Sequence, residues 1–372
     1  MKFLIITYAP HIIEDNRYYA YAPYVREMNL WIKNTDEVIV VAPVWKIPKT
    51  VMQTSYVHEN ITFHPIAAFD VLNFKSAIKA IFQIPAIFFT ICKTMRTADH
   101  IHLRSPGNIG LLGCFAQILF PGKKKTAKYA GNWDPKSVQP LTYRLEKYIL
   151  SNTFITKKMQ VLVYGHWENA TKNIKPFFTA SYAESEKTTV IKASIFEKIN
   201  FVFAGSLVKG KDPMYAIQLV EKLYQKGRNV RLDLFGDGLL YKSIGIYIKE
   251  KELSDCIFLH GNQSKEILIK AYQQSHFVIL PSVSEGWPKA VAEGMFWGAI
   301  PIATPVSCVP FMLDFGYRGI LLEMNQQLDL QKIELIIENE SQLMDKSRNC
   351  IEWSQKYTIE RFDEAIQKLV FP

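Results

Sequence analysis

The sequence predicts an α/β fold of two doubly wound, parallel-sheet domains, and three observations carry the prediction. Its 372 residues exceed what a single hydrophobic core organises, at roughly 150 residues per domain. Hydrophobic residues make up 48%, charged residues 21% and aromatics 13%, the composition of a folded globular chain and not of a disordered or fibrous one. Short β-branched or aromatic runs alternate with longer amphipathic stretches at 15 to 25 residue spacing, and strands so spaced need crossover helices and pair in parallel.

The first strand is FLIIT (3–7). MKFLIITYAP has too short an apolar run and no small-residue cleavage site for a signal peptide, so it is read as that strand. EVIVVAP (37–43), HIHL (100–103) and AKYAG (127–131) follow, with helical segments between. The most apolar stretch, Ala80 to Cys92, has 13 residues and contains Pro85, short of the roughly 20 that cross a bilayer, so no membrane span is expected. FFTASYAESEKTTVIKAS (177–194) loses apolar periodicity and gains Ser, Thr, Glu and Lys, which places the linker there and the domains at 1–195 and 196–372. The second half repeats the pattern with NFVFAG (200–205), VRLDLFG (230–236), CIFLHG (256–261), HFVILP (276–281) and AIPIAT (299–304). A last helix at about 352–372 is expected to pack back on the N-terminal domain. Cys92, Cys114, Cys256, Cys308 and Cys350 form no C-x-x-C pair and have no His neighbours at metal spacing, and are read as reduced core residues of a cytosolic protein.

Two segments of the second half carry the local features of an anion site. Gly205-Ser206-Leu207-Val208-Lys209-Gly210-Lys211 spells G-x-x-x-x-G-K, but Asp212 stands where a P-loop needs a hydroxyl for magnesium. What remains is a glycine turn after a strand, with Lys211 beside a helix start that has Asp212 as N-cap and Pro213 at the first position. An ordinary turn with a solvated lysine accounts for the same residues, and both readings stay open. Ser282-Val283-Ser284-Glu285-Gly286-Trp287-Pro288-Lys289-Ala290-Val291-Ala292-Glu293-Gly294 joins two strands. Pro288 suits the first helical position and Gly298 the C-terminal cap, so the spacing predicts a helix over about 287–297. Glu285 is then placed just outside the helix N-terminus, where first-turn N–H groups and a carboxylate can hold an anion and a hydroxyl-rich group together. A glutamate that only complements the helix dipole fits the same position.

SEGWPKAVAEGM, with Glu285 and Glu293 as an E-x7-E pair, resembles the donor-site signature of retaining glycosyltransferases of family 4, the group 1 transferases with the GT-B fold. FVFAGSLVKGKDP resembles that family's G-R-L-x-x-x-K-G segment, LDLFGDG its strand and G-x-G loop, IFLHGNQSKEIL its base-side loop, and GAIPIATPVSCVPFML the strand and turn before its G-x-P-E. The resemblance covers roughly 200–325. It implies two Rossmann-like domains facing a central cleft and transfer of a sugar, with retention, from a UDP- or GDP-linked donor. It further implies that Lys211 pairs with the donor diphosphate, Glu285 with hydroxyls of the transferred sugar and Glu293 with the ribose. Gly205, Ser206, Lys209, Gly236, Gly261, Asn262, Gly286, Trp287, Lys289 and Ala290 complete the implied donor site. Leaving-group stabilisation by Lys211 and a helix end requires no metal and no separate cofactor, in keeping with a sequence that lacks D-x-D.

The chain also departs from the family pattern. Ser206 replaces the usual arginine, the turn Cys308-Val309-Pro310-Phe311 lacks the glycine and glutamate of G-x-P-E, and TYAPHIIEDNRYYAY offers His11, Asn16 and Arg17 in place of a Gly-Gly. In the first half, HLRSPGN and KYAGNWDP both follow strands, so Arg104, Asn108, Asn132, Trp133 and Asp134 are expected at the carboxyl edge of the sheet, where such folds bind ligands. Arg17, Arg104, Asn132 and Asp134 are the acceptor-side candidates. Asp134 before Pro135 is read first as an ordinary turn aspartate, with orientation of an acceptor hydroxyl as the alternative, and His11, His102 and His166 are read as packed or surface residues.

Charge separates the halves. Lys plus Arg is 44 against 35 Asp plus Glu. Residues 1–195 hold 24 basic and 13 acidic residues, 24 − 13 = +11, and 196–372 hold 20 and 22, 20 − 22 = −2. The segment VLNFKSAIKAIFQIPAIFFTICKTMR (71–96) mixes Lys75, Lys79, Lys93 and Arg96 with Phe74, Phe82, Phe88 and Phe89, and Lys123 to Lys125 add a cluster. That suits an anionic membrane surface or core helices with solvated lysines. No nucleic-acid motif accompanies it. The expected partners are therefore a nucleotide sugar and a glycan or polyprenyl-diphosphate-linked acceptor. The expected place is the cytoplasm, peripheral at the inner face of the membrane, in bacterial-type surface polysaccharide synthesis. A sugar-nucleotide epimerase or hydrolase on the same fold, and a non-catalytic nucleotide-sugar-binding module, are the alternatives.

Overall fold

The computed structural model describes residues 1–50, 52–70, 73–190 and 192–371, which form two compact units dividing at Phe177/Phe178. In the first, β1 (Lys2–Ile6), β2 (Ile12–Glu14), β3 (Arg17–Tyr21), α1 (Ala22–Ile32), β4 (Glu37–Pro43), β5 (Gln53–Ser55) and β6 (Ile61–Ile66) lead into α2 (Phe74–Thr97). β7 (His100–Ser105), α3 (Asn108–Ala116), β8 (Lys124–Tyr129), α4 (Leu141–Ser151), β9 (Met159–Tyr164) and β10 (Ile174–Phe177) complete it. Seven strands form one parallel sheet in the order β10-β9-β8-β7-β1-β4-β6, and β2-β3-β5 form a small antiparallel sheet. β1 and β4 read as unbroken apolar runs because both faces of a parallel sheet are covered.

One face carries Leu4, Ile6, Ile39, Val41, Leu103 and Tyr129 against Ile87, Ile91 and Met95 of α2, Ile109 and Cys114 of α3, and Ile149 and Leu150 of α4. On the other face Phe3 stacks on His100 at 5.0 Å and Trp31 of α1 lies 4.2 Å from His102. The 13-residue apolar run therefore sits within a longer element. An Asn73–Ser76 capping box opens α2, and the helix continues through Pro85 for 24 residues. By length and composition it could cross a membrane, a correction to the expectation from the run alone. Val71 and Leu72 of the segment singled out in the sequence lie outside the described residues.

The second unit comprises β11 (Ile199–Ala204), α5 (Pro213–Gln225), β12 (Val230–Phe235), α6 (Tyr241–Glu250), β13 (Ile257–Gly261), α7 (Lys265–Gln274) and β14 (Phe277–Leu280). α8 (Lys289–Phe296), β15 (Ile300–Ala303), α9 (Val309–Met312), β16 (Ile320–Leu321), α10 (Gln326–Ile337) and α11 (Glu340–Ser354) follow. Its parallel sheet runs β13-β12-β11-β14-β15-β16.

The division falls earlier than the expected 195/196. Thr179, Tyr182 and Ile195 are buried in the second unit, where Tyr182 packs with Phe296 and Trp297. The polar composition of this segment concealed its anchors. α12 (Ile359–Val370) ends the chain, and residues from Asp363 onward group with the first unit, where Asp363 pairs with Lys33 and Gln367 bonds Asn34. The expected helix over 352–372 is thus two helices, α11 ending at Ser354 and α12, and Pro372 lies outside the described residues.

Candidate functional site

The strand order of the second unit reverses between β11 and β14. At such a switch point adjacent βα loops diverge and leave a crevice at the carboxyl edge of the sheet, where ligands bind. The loop after β11 carries Lys211 and the loop after β14 carries Glu285, so the two predicted residues stand on neighbouring loops. Asp212, at φ 45°, caps α5 by accepting from the Tyr215 N–H, with Pro213 in the first turn. That fixes Lys211 just ahead of the helix. Its ammonium donates to Glu285 Oε1. The Glu285 side chain is 7% exposed and that of Lys211 30%, so the carboxylate is held inside the wall of the site while the lysine stays reachable from solvent.

The surrounding loops are tied together by backbone. Val283 N–H donates to the Gly210 carbonyl at 2.9 Å, Leu207 N–H to the Asp237 carbonyl at 2.9 Å, and Gly236 N–H to the Gly261 carbonyl at 2.8 Å. Gly236, at φ 134°, packs so closely on the Gly205 carbonyl that a Cβ there overlaps it. From the other side, Thr304 Oγ1 donates to the Ser282 carbonyl, Ser307 Oγ to the Gly286 carbonyl at 3.0 Å and the Cys308 thiol to the same carbonyl at 3.3 Å. The thiol is buried, which pushes its pKa up to about 12. The turn lacking the family's glycine and glutamate is thus a clamp beneath the Glu285 loop, one that sequence reasoning missed because a departure from a pattern reveals no new partner.

α8 begins at Lys289 with Pro288 as its N-cap, at ψ 87°, one or two residues later than expected. Proline fixes φ only, and an extended ψ keeps it outside the helix. The Lys289 and Ala290 N–H groups belong to the first turn and have no intrahelical acceptor. Glu293, one turn along α8, accepts from Ser181 Oγ at 2.6 Å and from Tyr272 OH at 3.3 Å. Burial raises its pKa, while Ser181, Lys289 and Tyr272 oppose that shift. Trp287 packs 6.2 Å from Trp353 and 5.6 Å from Tyr357, so its ring anchors the loop to α11. Ser206, Lys209 and Asn262 are exposed. Behind His260, which stacks on Phe235 at 4.6 Å, Asp233 takes His260 Nε2 at 2.6 Å and both Arg231 donors. A cavity of about 850 Å³, between residues 187–190 and 192–195 and α11, shares no lining residue with these loops.

In the first unit the order reverses between β1 and β7. A cavity of about 280 Å³ opens there, lined by Tyr8, Phe69, Pro106, Gly107, Asn108 and Tyr143 among others. Asn108 donates to the Phe69 carbonyl. Beneath the cavity, buried Glu146 accepts from the Gly107 N–H at 3.2 Å, and burial raises its pKa to about 7.

The acceptor-side residues fall elsewhere. Arg104, near the carboxyl end of β7, is partly buried, with its guanidinium held in an ion pair with Glu27 beside Lys128. Asp134 accepts from the Lys136 N–H at 2.8 Å as a turn aspartate, and Asn132 is buried with its Oδ1 on the Asp134 N–H. Arg17 is exposed on β3, and Trp133 belongs to the core. His11 and His102 are buried, and His166 is exposed.

Residues 186–357 match the family described as Glycosyl transferases group 1. An uncharacterized glycosyltransferase of Methanocaldococcus jannaschii is 30% identical over 169 residues, 45% of this chain and 46% of that protein, so the match spans about half of either. Among solved structures, a sucrose-phosphate synthase of Thermosynechococcus elongatus covers 100% of the chain and 98% of its own at 14% identity and TM-score 0.69. Anabaena Alr3699/HepE, in complex with UDP and glucose, gives 0.67 at 12% identity over 100% and 99%. WaaG, involved in lipopolysaccharide biosynthesis, gives 0.64 at 10% over 100% of both. At these identities the likeness establishes the fold, which is GT-B with Rossmann-like units.

Proposed function

We propose that this chain, whose residues 186–357 match the family described as Glycosyl transferases group 1, is a transferase that moves a sugar from a UDP- or GDP-linked donor to a glycan acceptor with retention of configuration. The observation that carries the reading is the Lys211–Glu285 pair at the switch point of the second sheet. A nucleotide sugar brings hydroxyls that Glu285 can accept and a diphosphate that Lys211 can meet. As the sugar–phosphate bond breaks, negative charge grows on the departing diphosphate, and Lys211 with the first-turn N–H groups of α8 is already oriented towards it. This supplies positive charge without a metal, and no further cofactor is proposed. Glu293 is assigned to the ribose, where its two hydrogen-bond donors fix the carboxylate.

The acceptor is assigned to the 280 Å³ cavity of the first unit, as a glycan carried on a polyprenyl diphosphate. The likeness to WaaG supports surface polysaccharide synthesis, and the HepE complex supports a UDP-sugar. The basic 1–195 segment, at 24 − 13 = +11, supports work at the cytoplasmic face of an anionic membrane. Release of nucleoside diphosphate from a panel of UDP- and GDP-sugars tests the reading. Glu285→Gln should lower turnover at least about 100-fold while changing affinity for free nucleoside diphosphate little. A variant as active as the parent overturns the assignment of Glu285.

A further inference from the structure

In the first unit α2, α3 and α4 lie side by side on one face of the sheet, α2 against α3 and α3 against α4. Their inward residues are accounted for by the core. Their outward residues include a run of large apolar side chains where solvent alone would favour polar ones. On α2, Phe74, Ile78, Ile81, Phe82, Pro85 and Phe89 recur at helical spacing and all are exposed, Phe74 at 80%, Phe82 at 78% and Phe89 at 70%. Leu119 beyond α3, and Leu141, Leu145 and Tyr148 on α4, continue the apolar surface.

The exposed charges on the same helices have one sign. Lys75, Lys79, Lys93, Arg96 and Arg144 are exposed, and the three helices contain a single acid, Glu146, which is buried. Among their described residues there is thus no exposed carboxylate. We propose that this layer is a docking surface for an anionic lipid bilayer, with α2 lying in the plane of the interface. The inference rests on the proposed membrane-linked acceptor for its purpose, not for its physics.

Charge and shape select the occupant. A second copy would oppose cations to cations. Nucleic acid would meet Phe, Ile and Leu where it needs hydrogen-bond donors. An anionic bilayer satisfies both components, because acyl chains take the apolar residues and headgroups the cations. Spanning is disfavoured. Between Lys79 and Lys93 lie 13 residues, about 20 Å of helix at 1.5 Å per residue against a hydrocarbon core of about 30 Å. Ile87, Ile91 and Met95 of the same helix are also committed to the protein core.

Flotation of the full chain with phosphatidylcholine vesicles, with and without roughly one third phosphatidylglycerol, tests the proposal. The chain should float only with anionic vesicles and be released by salt. Phe82→Ser/Phe89→Ser should weaken partitioning at least about tenfold, and Lys75→Gln/Lys79→Gln roughly 30-fold, at about 1 kcal/mol per cation. Donor turnover in the same variants, measured without vesicles, should be unchanged, so failure of binding and failure of the enzymatic reading are separate results. Equal binding to neutral vesicles, or none to either, overturns the proposal. So does a dimer that Phe82→Ser/Phe89→Ser dissolves, or salt-sensitive retention on duplex DNA without vesicle binding.

Discussion

The Ser307 hydroxyl donates to the Gly286 carbonyl at 3.0 Å from a backbone held at φ 52°. A non-glycine residue in that region carries strain of order 1 kcal/mol or more, and it is retained here where it points the hydroxyl at the loop bearing Glu285. Ser307→Gly relieves the strain and removes the donor, while Ser307→Ala removes the donor alone. If the bond positions the loop, both should lower kcat about tenfold with little change in nucleotide affinity, although only the alanine variant loses about 1 kcal/mol of stability. A purely structural role would instead make kcat follow the melting temperature.

Gly236 and Gly210 make opposite predictions although both lie in glycine-rich turns. A Cβ at Gly236 overlaps the Gly205 carbonyl and demands φ 134° of an L residue, whereas a Cβ at Gly210 meets nothing within 4 Å. Gly236→Ala should cost the second unit about 2–3 kcal/mol and weaken donor binding. Gly210→Ala should fall within about 0.5 kcal/mol of the parent. Denaturant titration of both variants checks the pair, and a sensitive Gly210 would revive the phosphate-loop reading of G-x-x-x-x-G-K.

What could be read from the sequence follows from the range of the forces involved. Strands such as EVIVVAP and NFVFAG announce themselves because burial on both faces leaves local apolar runs, and Asp212-Pro213 marks the start of α5 through chemistry confined to two residues. The family resemblance puts Lys211 and Glu285 in one donor site, yet their direct bond depends on β11 and β14 becoming neighbours, which no local pattern states. MQVLVY (159–164), ITFHPI (61–66) and the β2–β3 hairpin went unassigned as strands. The ion pair of Arg104 was not legible because its partner Glu27 lies 77 residues away. The Ser307 and Cys308 clamp and the apolar outer face of α2 to α4 likewise required knowledge of which side of each element the core takes.

Lys211→Met should reduce affinity for free nucleoside diphosphate and lower turnover, while leaving Glu285 in the wall without its cation. Because the two side chains touch, their effects should not add. A cycle of Lys211→Met, Glu285→Gln and the double variant should show a coupling of about 0.5–3 kcal/mol in stability. Additive effects, measured by chemical denaturation, would mean that the bond contributes nothing, and unchanged nucleotide affinity with unchanged rate would remove Lys211 from the diphosphate.

The first unit should be acid-sensitive through its buried histidines. Burial lowers His11 and His100 from 6.5 to about 4, and it also holds His102 well below the usual imidazole range. The folded state therefore keeps them neutral where the unfolded chain protonates them, and their stabilisation, present above pH 6.5, is lost as pH falls towards 4. Glu146 acts in the opposite sense. Raised from 4.5 to about 7, it stabilises fully below pH 4.5 and loses that contribution as pH rises to 7. Between pH 5 and 6 the unfolded chain binds two protons on His11 and His100 and the folded state one on Glu146, so stability should rise by about 1.4 kcal/mol per pH unit from these groups, with His102 acting in the same direction as the other histidines. Glu146→Gln removes the opposing proton and should steepen the slope by about 1.4 kcal/mol per pH unit. Hydrogen exchange of β1 and β7 amides from pH 5 to 6, corrected for intrinsic rates, measures this in the intact chain. A slope that is flat, or unchanged by Glu146→Gln, would show that these groups do not titrate as their burial dictates.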